Sequence, residues 1–216
     1  MQFGQIFSFQ FKDPDWIKKL LLTGLITLIP VVGGMFLIGW TLGITKKVIN
    51  NDMGLLPELD FGANIGKGFQ ALIIQLVYML PVIILSLPLA LVGPIGAAVG
   101  MDSSTMETAM LVVSICCGGL MLIFSIAAAF VMPAALGNFV VKGGIGSGLK
   151  FAEAIALVKA APVAYLLVVV GVMLSGVISS LGSIACGLGV LFTMPYAMSM
   201  MGHLYGQAYL QATQPK

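Results

Sequence analysis

Four long apolar runs without Asp, Glu, Lys or Arg dominate the chain, at residues 20–45, 68–101, 108–141 and 160–214. A helix needs about 20 apolar residues to cross the roughly 30 Å of hydrocarbon in a bilayer. Backbone polar groups in lipid must be hydrogen-bonded within the protein, so only helices and closed barrels span a membrane. Barrel strands are about 10 residues long and alternate in polarity, whereas these runs are longer and do not alternate. The pattern predicts an all-α integral membrane protein.

Proline and glycine divide these runs into helices. The last run is long enough for two crossings, with a glycine-rich break at residues 179–189 that separates Pro162–Leu181 from a helix between Ile184 and about Leu204. The two central runs, of about 34 residues each, would extend about 50 Å as helix, which is longer than one crossing. In the first of them we expect kinks or helix ends at three prolines, Pro81, Pro88 and Pro94. The prediction is a helical bundle with four transmembrane crossings.

The lysines set the expected orientation, because cytoplasmic loops carry the excess of Lys and Arg. The loops at residues 46–67 and 142–159 hold three lysines each, whereas the loop at residues 101–107 holds only Asp102 and Glu107. The two basic loops are therefore predicted inside and the acidic loop outside, with both termini cytoplasmic. This describes a multi-pass protein of the cell (inner or plasma) membrane.

The first apolar segment is too short for two crossings. Only 26 residues lie between Lys19 and Lys46, and two crossings need about 40. A single crossing would place Lys12, Lys18 and Lys19 outside, against the lysine rule. An N-terminal re-entrant or short helical hairpin that turns at residues 30–34 satisfies both constraints. The alternative is one long kinked span with lysines at both ends.

These boundaries define one membrane domain over residues 1–216. Its predicted parts are an interfacial N-terminus (1–15), the re-entrant hairpin (16–49), a cytoplasmic loop (50–67), a first helical hairpin (68–141), a cytoplasmic amphipathic segment (142–161) and a second helical hairpin (162–211). In the amphipathic segment, Phe151, Ile155 and Val158 share one helical face, and Lys150 and Glu153 lie off it.

Composition excludes several function classes. The chain is 59% hydrophobic and 8% charged, with a net charge of +2 and no arginine, so nucleic acid is not an expected partner. No carboxylate lies within the apolar runs, which leaves no acidic proton relay and no paired aspartates or HExxH motif. We therefore predict no catalytic residue, no cofactor, no metal and no enzymatic activity. His203, near Met194, Met198 and Met201, could hold Cu(I), but such a stripe is more often adaptable packing.

Two groups of residues are candidates for binding and packing. Interface or lipid-anchor candidates combine the headgroup preferences of tryptophan and lysine; they are Trp16, Lys18, Lys19, Lys46 and Lys47. Helix-packing candidates are small residues at every fourth position, which permit close helix approach; they are Gly171, Ser175, Ser179 and Ser183. Packing within the chain is favoured over dimerisation.

Two stretches, FSFQFKDPDWIKKLLLTGLITLIP from Phe7 and LLPELDFGANIGKGFQALIIQLVYMLP from Leu55, carry a family resemblance. They resemble an uncharacterised bacterial and archaeal family of polytopic membrane proteins of the domain-of-unknown-function type (DUF4013-like), mainly over the first 80 or so residues. The resemblance implies a membrane protein without assigned chemistry. Its motif residues are expected at the cytoplasmic interface; they are Asp13, Trp16, Lys19, Pro30, Pro57 and Asp60.

The function expected from these observations is that of a non-enzymatic multi-pass membrane protein, a lipid- or partner-binding component of a membrane assembly. Its expected partners are membrane lipid and either another membrane protein or a second copy of the chain. The alternative is a small transporter or channel for an unknown solute. A water-filled cavity lined by polar side chains would favour that alternative; the candidates are Gln75, Ser86, Ser125 and Asn138.

Overall fold

The computed structural model describes residues 1–52, 55–184 and 188–214. Part of the predicted break at residues 179–189 and the C-terminal Lys216 lie outside the described residues. The described part is 85% helical and contains no strand, which confirms the all-α prediction. Its α-helices are α1 (Trp16–Thr27), α2 (Val32–Ile49), α3 (Phe61–Ala98), α4 (Ser103–Lys142), α5 (Ile145–Gly148), α6 (Phe151–Ala160), α7 (Pro162–Leu181) and α8 (Val190–Thr213).

Four helices in the described part of the chain, namely α2, α3, α4 and α7, are long and apolar enough to cross a membrane. The number equals the predicted number of crossings, but the set differs. Helix α2 was predicted as half of the hairpin, and α8, which was predicted as the fourth crossing, is not among the four. Helix α8 carries buried polar side chains, including Ser199, His203 and Gln207, which lower its mean hydropathy.

Helix α3 runs without interruption through Pro81, Pro88 and Pro94, so the expectation that it ends at one of these prolines is wrong. Proline removes one backbone donor per position. In membrane helices, neighbouring groups and local adjustment tolerate that loss. At 1.5 Å per residue, the 38 residues of α3 and the 40 of α4 extend about 57 and 60 Å.

The first apolar segment forms a helical hairpin. Its turn lies at Leu28–Val31, two residues earlier than expected, and Gly33 already belongs to α2. A side chain at Gly33 would collide with the backbone of Ile26 and Thr27 in α1, so this glycine permits the close approach of the two helices. Helix α1 has 12 residues and is about 18 Å long, shorter than the hydrocarbon layer.

The chain divides into two compact units. The first, which we call the basic unit, comprises residues 1–74 and 130–216. Helix α8 contacts α1, α2, α6 and α7 there. Gly202 and Gly206 of α8 lie directly against Thr41, Ile44 and Val48 of α2. The hydrophobic core of this unit contains Phe9, Leu20, Phe36, Leu37, Trp40, Ile44, Val48 and Leu56.

The second unit, residues 75–129, contains the C-terminal part of α3, the N-terminal part of α4 and the turn that joins them. Gly100 has φ +71°, a conformation that favours glycine. Asp102 precedes α4, and its carboxylate accepts hydrogen bonds from the Ser104 hydroxyl (2.6 Å) and the Thr105 backbone N–H (2.9 Å). Many large apolar side chains of this unit are exposed, and Ile115 and Ile123 are more than half exposed.

A basic cleft as the candidate functional site

Lysine is confined to the basic unit. Every lysine within the described residues lies in residues 1–74 or 130–214, and residues 75–129 carry only the acidic side chains Asp102 and Glu107. The predicted loops at 46–67 and 142–159 therefore belong to the same compact body. The charge asymmetry of the sequence becomes an asymmetry between the two units.

Two neighbouring depressions on the basic unit share the carboxylates Glu58 and Asp60 but are lined by different lysines. Lys18 and Lys19 line one depression together with Glu58 and Asp60. Lys46 and Lys67 line the next, which also includes Glu58 and Asp60. Lys46 and Lys67 are therefore close in space to the start of α1, although they are far from it in sequence.

A third concavity, which we call the basic cleft, lies where α2 and α4 end and α3 begins. Its volume is about 210 Å³. Lys46 and Lys67 supply its charge, and apolar side chains supply much of its wall. The lining residues are Leu42, Lys46, Lys67, Gln70, Phe139, Val140, Gly143 and Gly144.

Helical spacing explains how the cleft forms. Leu42 and Lys46 are four residues apart on α2, and Lys67 and Gln70 are three apart on α3, so each pair lies on one helix face. Gly143 and Gly144 follow α4 with φ +71° and +73°, values that favour glycine. This turn ends α4 beside the lysines.

Lys46 and Lys67 differ from their neighbours in having no ion-pair partner among the described residues. Lys47 lies 3.1 Å from Asp52, and Lys150 lies 3.0 Å from Glu153, which also pairs with Lys142. The carboxylates near the cleft therefore already have partners, and none lines the cleft itself.

The anchor candidates have different environments. Lys18 is exposed, and Trp16 is half-buried, with its ring centroid 4.8 Å from that of Phe11 and 5.9 Å from that of Phe192. Lys19, in contrast, is 9% exposed, and its ammonium lies 3.0 Å from Asp13 and 3.2 Å from Glu58. Lys19 thus pairs within the chain instead of extending freely to the surface.

The small-residue stripe on α7 is divided between core and surface. Gly171 and Ser175 are buried, and a side chain at Gly171 would collide with Leu204 of α8. Ser179 is half-buried and its carbonyl accepts a hydrogen bond from Thr193 (3.2 Å). Ser183 is exposed. Gly171 therefore packs within the chain, on the α7–α8 contact, and Ser175 is buried one turn further along α7.

Sequence reasoning missed a polar seam on α8, formed by Ser199, His203 and Gln207, which share one face at intervals of four. Gln10 donates to Ser199 (2.8 Å), and the Gln207 amide lies 2.9 Å from Nδ1 of His203. All three are buried. The i, i+4, i+8 spacing of polar residues in an apolar run was the available signal.

Lys67 and Gln70 were also missed as site residues, although Lys46 was included. Lys67 was counted only as one of the loop lysines. Its three-residue spacing from Gln70 was visible in the sequence, but the approach of both residues to α4 was not.

The motif residues of the resemblance have structural partners in the basic unit. Asp13 pairs with Lys19, the Pro57 carbonyl accepts a hydrogen bond from the Trp40 indole (3.3 Å), and Asp60 accepts one from the Ala63 backbone N–H (3.0 Å). These contacts order the N-terminal segment and the start of α3 around the cleft.

Comparison with known proteins identifies the family of the chain. No curated protein and no solved structure matches the chain. A family model described as protein of unknown function (DUF4013) matches residues 22–188, a much longer stretch than the first 80 residues. Since this match covers more than half of the sequence, the chain belongs to the DUF4013 family.

Proposed function

We propose that this protein is a non-enzymatic multi-pass membrane component that binds lipid or a partner protein at its basic unit. One observation carries the proposal: lysine is confined to one compact unit, and the other unit exposes apolar side chains. Anionic lipids at the cytoplasmic leaflet attract lysines that lie close to the membrane surface. The basic unit then contains the cytoplasmic surface of a cell-membrane protein, and both termini lie on that side.

The tip of the N-terminal hairpin supports a re-entrant segment. Leu28, Ile29, Pro30 and Val31 form the turn and are all exposed. An exposed apolar turn between two helices suits hydrocarbon better than water. Lys18 lies in the first turn of α1 and Lys46 lies near the end of α2, so in this proposal both polar ends of the hairpin return to the same side.

Native mass spectrometry after gentle extraction from the membrane tests this proposal. Retained phospholipid or a stoichiometric protein partner would support the component. Protein that is free of lipid and of any partner would contradict it and would direct attention to solute flux.

The polar seam favours a second candidate function, that of a small transporter or channel. Several buried polar atoms lack a hydrogen-bond partner among the described residues, including Nε2 of His203, the Tyr165 hydroxyl and Nδ2 of Asn138. Such atoms are typical of places where water or a solute binds. Two of the expected lining residues do not support it: Ser86 donates to Ile83 in its own helix (2.7 Å), and Ser125 is exposed.

Flux assays in liposomes test this second candidate. A transporter would show solute flux that His203→Leu abolishes and Ser125→Ala leaves intact. Absence of flux over a panel of ions and small polar solutes would contradict it.

A further inference from the structure

We propose that the basic cleft binds the phosphate-bearing headgroup of one anionic phospholipid, with Lys46 and Lys67 as its cationic ligands. This inference rests on the proposed function, because it requires the lysine-rich surface to lie at the headgroup level of a membrane. It goes further by naming the site, the residues and the ligand class.

Charge is the first argument. Two ammonium groups line one cleft without a carboxylate in its wall, and neither has an ion-pair partner among the described residues. Three carboxylates lie on the far side of these lysines, in the neighbouring depression. Each already has a partner: Asp52 pairs with Lys47, Glu58 with Lys19, and Asp60 with the Ala63 backbone N–H. None of these carboxylates forms an ion pair with Lys46 or Lys67, so an anion between the two lysines would relieve their mutual repulsion.

The shape and wall of the cleft are the second argument. A volume of about 210 Å³ is below the roughly 300 Å³ at which pockets for drug-sized ligands begin, so it suits a headgroup and not a whole lipid. Leu42 and Phe139 are buried in the wall and can contact the glycerol carbons. The Gln70 amide adds a hydrogen-bond donor next to Lys67.

The helix ends have opposing effects. Helices α2 and α4 end near the cleft, and a helix C-terminus carries about half a negative charge, whereas α3 begins near the cleft and contributes about half a positive charge. The net contribution is about half a negative charge. Two full positive charges on Lys46 and Lys67 exceed it, so the cleft remains attractive to an anion.

Lipid titration of the full-length protein tests this site. Native mass spectrometry in neutral detergent would compare the binding of phosphatidylglycerol with that of phosphatidylcholine. We expect wild type to prefer phosphatidylglycerol, and Lys46→Gln and Lys67→Gln to weaken its binding about fivefold each, since a lysine near anionic lipid contributes about that factor. The double variant should lose on the order of 25-fold, and Lys46→Arg with Lys67→Arg should retain the preference.

Lys159→Gln is the matched control, because Lys159 is an exposed lysine of the basic unit outside the cleft and without an ion pair among the described residues. It should leave the preference unchanged. Because the lysines of the cleft are not buried, all variants should fold, and their thermal unfolding in detergent verifies this.

Four outcomes overturn the inference. If the folded double variant binds phosphatidylglycerol as tightly as wild type does, or if Lys159→Gln weakens binding equally, the cleft is not the site, while the proposed function stands. If inorganic phosphate alone protects Lys46 and Lys67 from amine modification and phosphatidylglycerol does not, the ligand is free phosphate. If wild type retains no lipid at all and no partner, the proposed function fails first.

Discussion

The Lys19 ammonium lies 3.0 Å from the Asp13 carboxylate, and the two side chains are only 11% and 2% exposed. Asp13 also accepts hydrogen bonds from the backbone N–H groups of Asp15 and Leu56, both at 2.8 Å. Lys19 donates to the Leu56 carbonyl at 3.1 Å. This ion pair therefore joins the N-terminal segment, α1 and the segment before α3.

Breaking this pair should destabilise the protein strongly. Loss of one partner leaves a buried charge without compensation, which costs about 3–5 kcal/mol. We expect Lys19→Met and Asp13→Asn each to lower stability by about 3 kcal/mol, and the double variant to recover part of that loss. Equilibrium unfolding in mixed detergent micelles measures the stability of wild type and of each variant. The exposed neighbour gives the control Lys18→Met, and an equal loss in Lys18→Met would contradict the assignment.

The same pair predicts a pH dependence. Burial alone would raise the pKa of Asp13, but hydrogen bonds from Lys19 and from the backbone N–H groups of Asp15 and Leu56 outweigh it and hold the pKa below its ordinary 3.8. Burial alone would lower the pKa of Lys19, but hydrogen bonds to Asp13 and Glu58 raise it above its ordinary 10.5. The contribution of Asp13 to the free energy of unfolding is therefore complete above pH 3.8, and it is lost as the pH falls through the lowered pKa.

The pH dependence for Lys19 is opposite. Its contribution to the free energy of unfolding is complete below pH 10.5 and is lost as the pH rises through the raised pKa. We expect the Tm difference between wild type and Asp13→Asn to be constant near neutral pH and to narrow only below 3.8. The difference between wild type and Lys19→Met should narrow only above 10.5. Narrowing that begins near neutral pH in either series would contradict these shifts.

Two glycines on one helix turn provide a matched test of helix packing. A side chain at Gly68 would collide with the Met35 backbone carbonyl of α2, whereas a side chain at Gly66 meets nothing within 4 Å. Gly66→Ala should stabilise the protein by up to about 1 kcal/mol through helix propensity. Gly68→Ala should destabilise it by about 1–3 kcal/mol, because α2 and α3 must separate. Similar changes in stability for Gly66→Ala and Gly68→Ala would contradict the close contact between Gly68 and the Met35 carbonyl.

Thiol labelling tests the topology. In a variant without the native cysteines, Gln5→Cys and Ile145→Cys should react with an impermeant reagent from the cytoplasmic side only, and Ser104→Cys from the opposite side only. The lysine distribution sets this expectation. If residues 5 and 145 react from opposite sides, the hairpin is a single crossing.

Helix identity was the most predictable part of the fold. The crossing predicted at Pro162–Leu181 coincides with α7, because Pro162 is a favoured first helical residue and Gly182 follows the last one. On α6, Phe151 and Ile155 of the predicted apolar face are exposed and Val158 is half-buried. The interfacial position of this segment stays a prediction. These predictions use local signals that a single sequence contains: the positions of charges, the lengths of apolar runs, and the prolines and glycines at helix ends.

Contacts between distant residues were not predictable. The cleft requires Lys46, Lys67 and Gly143 to meet, and the sequence separations among them exceed 20 residues. The sequence indicates Lys19 as an interface anchor because Trp16 and Lys18 lie beside it, whereas its partners Glu58 and Leu56 follow almost 40 residues later. The continuity of α3 through three prolines also depends on surroundings that no local pattern shows.

The central position of α8 has a consequence for biogenesis. Helices α1, α2 and α7 all pack against it, and the Gln2 backbone N–H donates to the Gln207 side chain across 205 residues of sequence. At about 5–20 residues per second, α8 leaves the ribosome on the order of 10–30 s after α1. During that interval the face of the N-terminal hairpin that packs against α8 has no helix to cover it, so we expect the insertion machinery or a chaperone to shield this face until the last helix is translated.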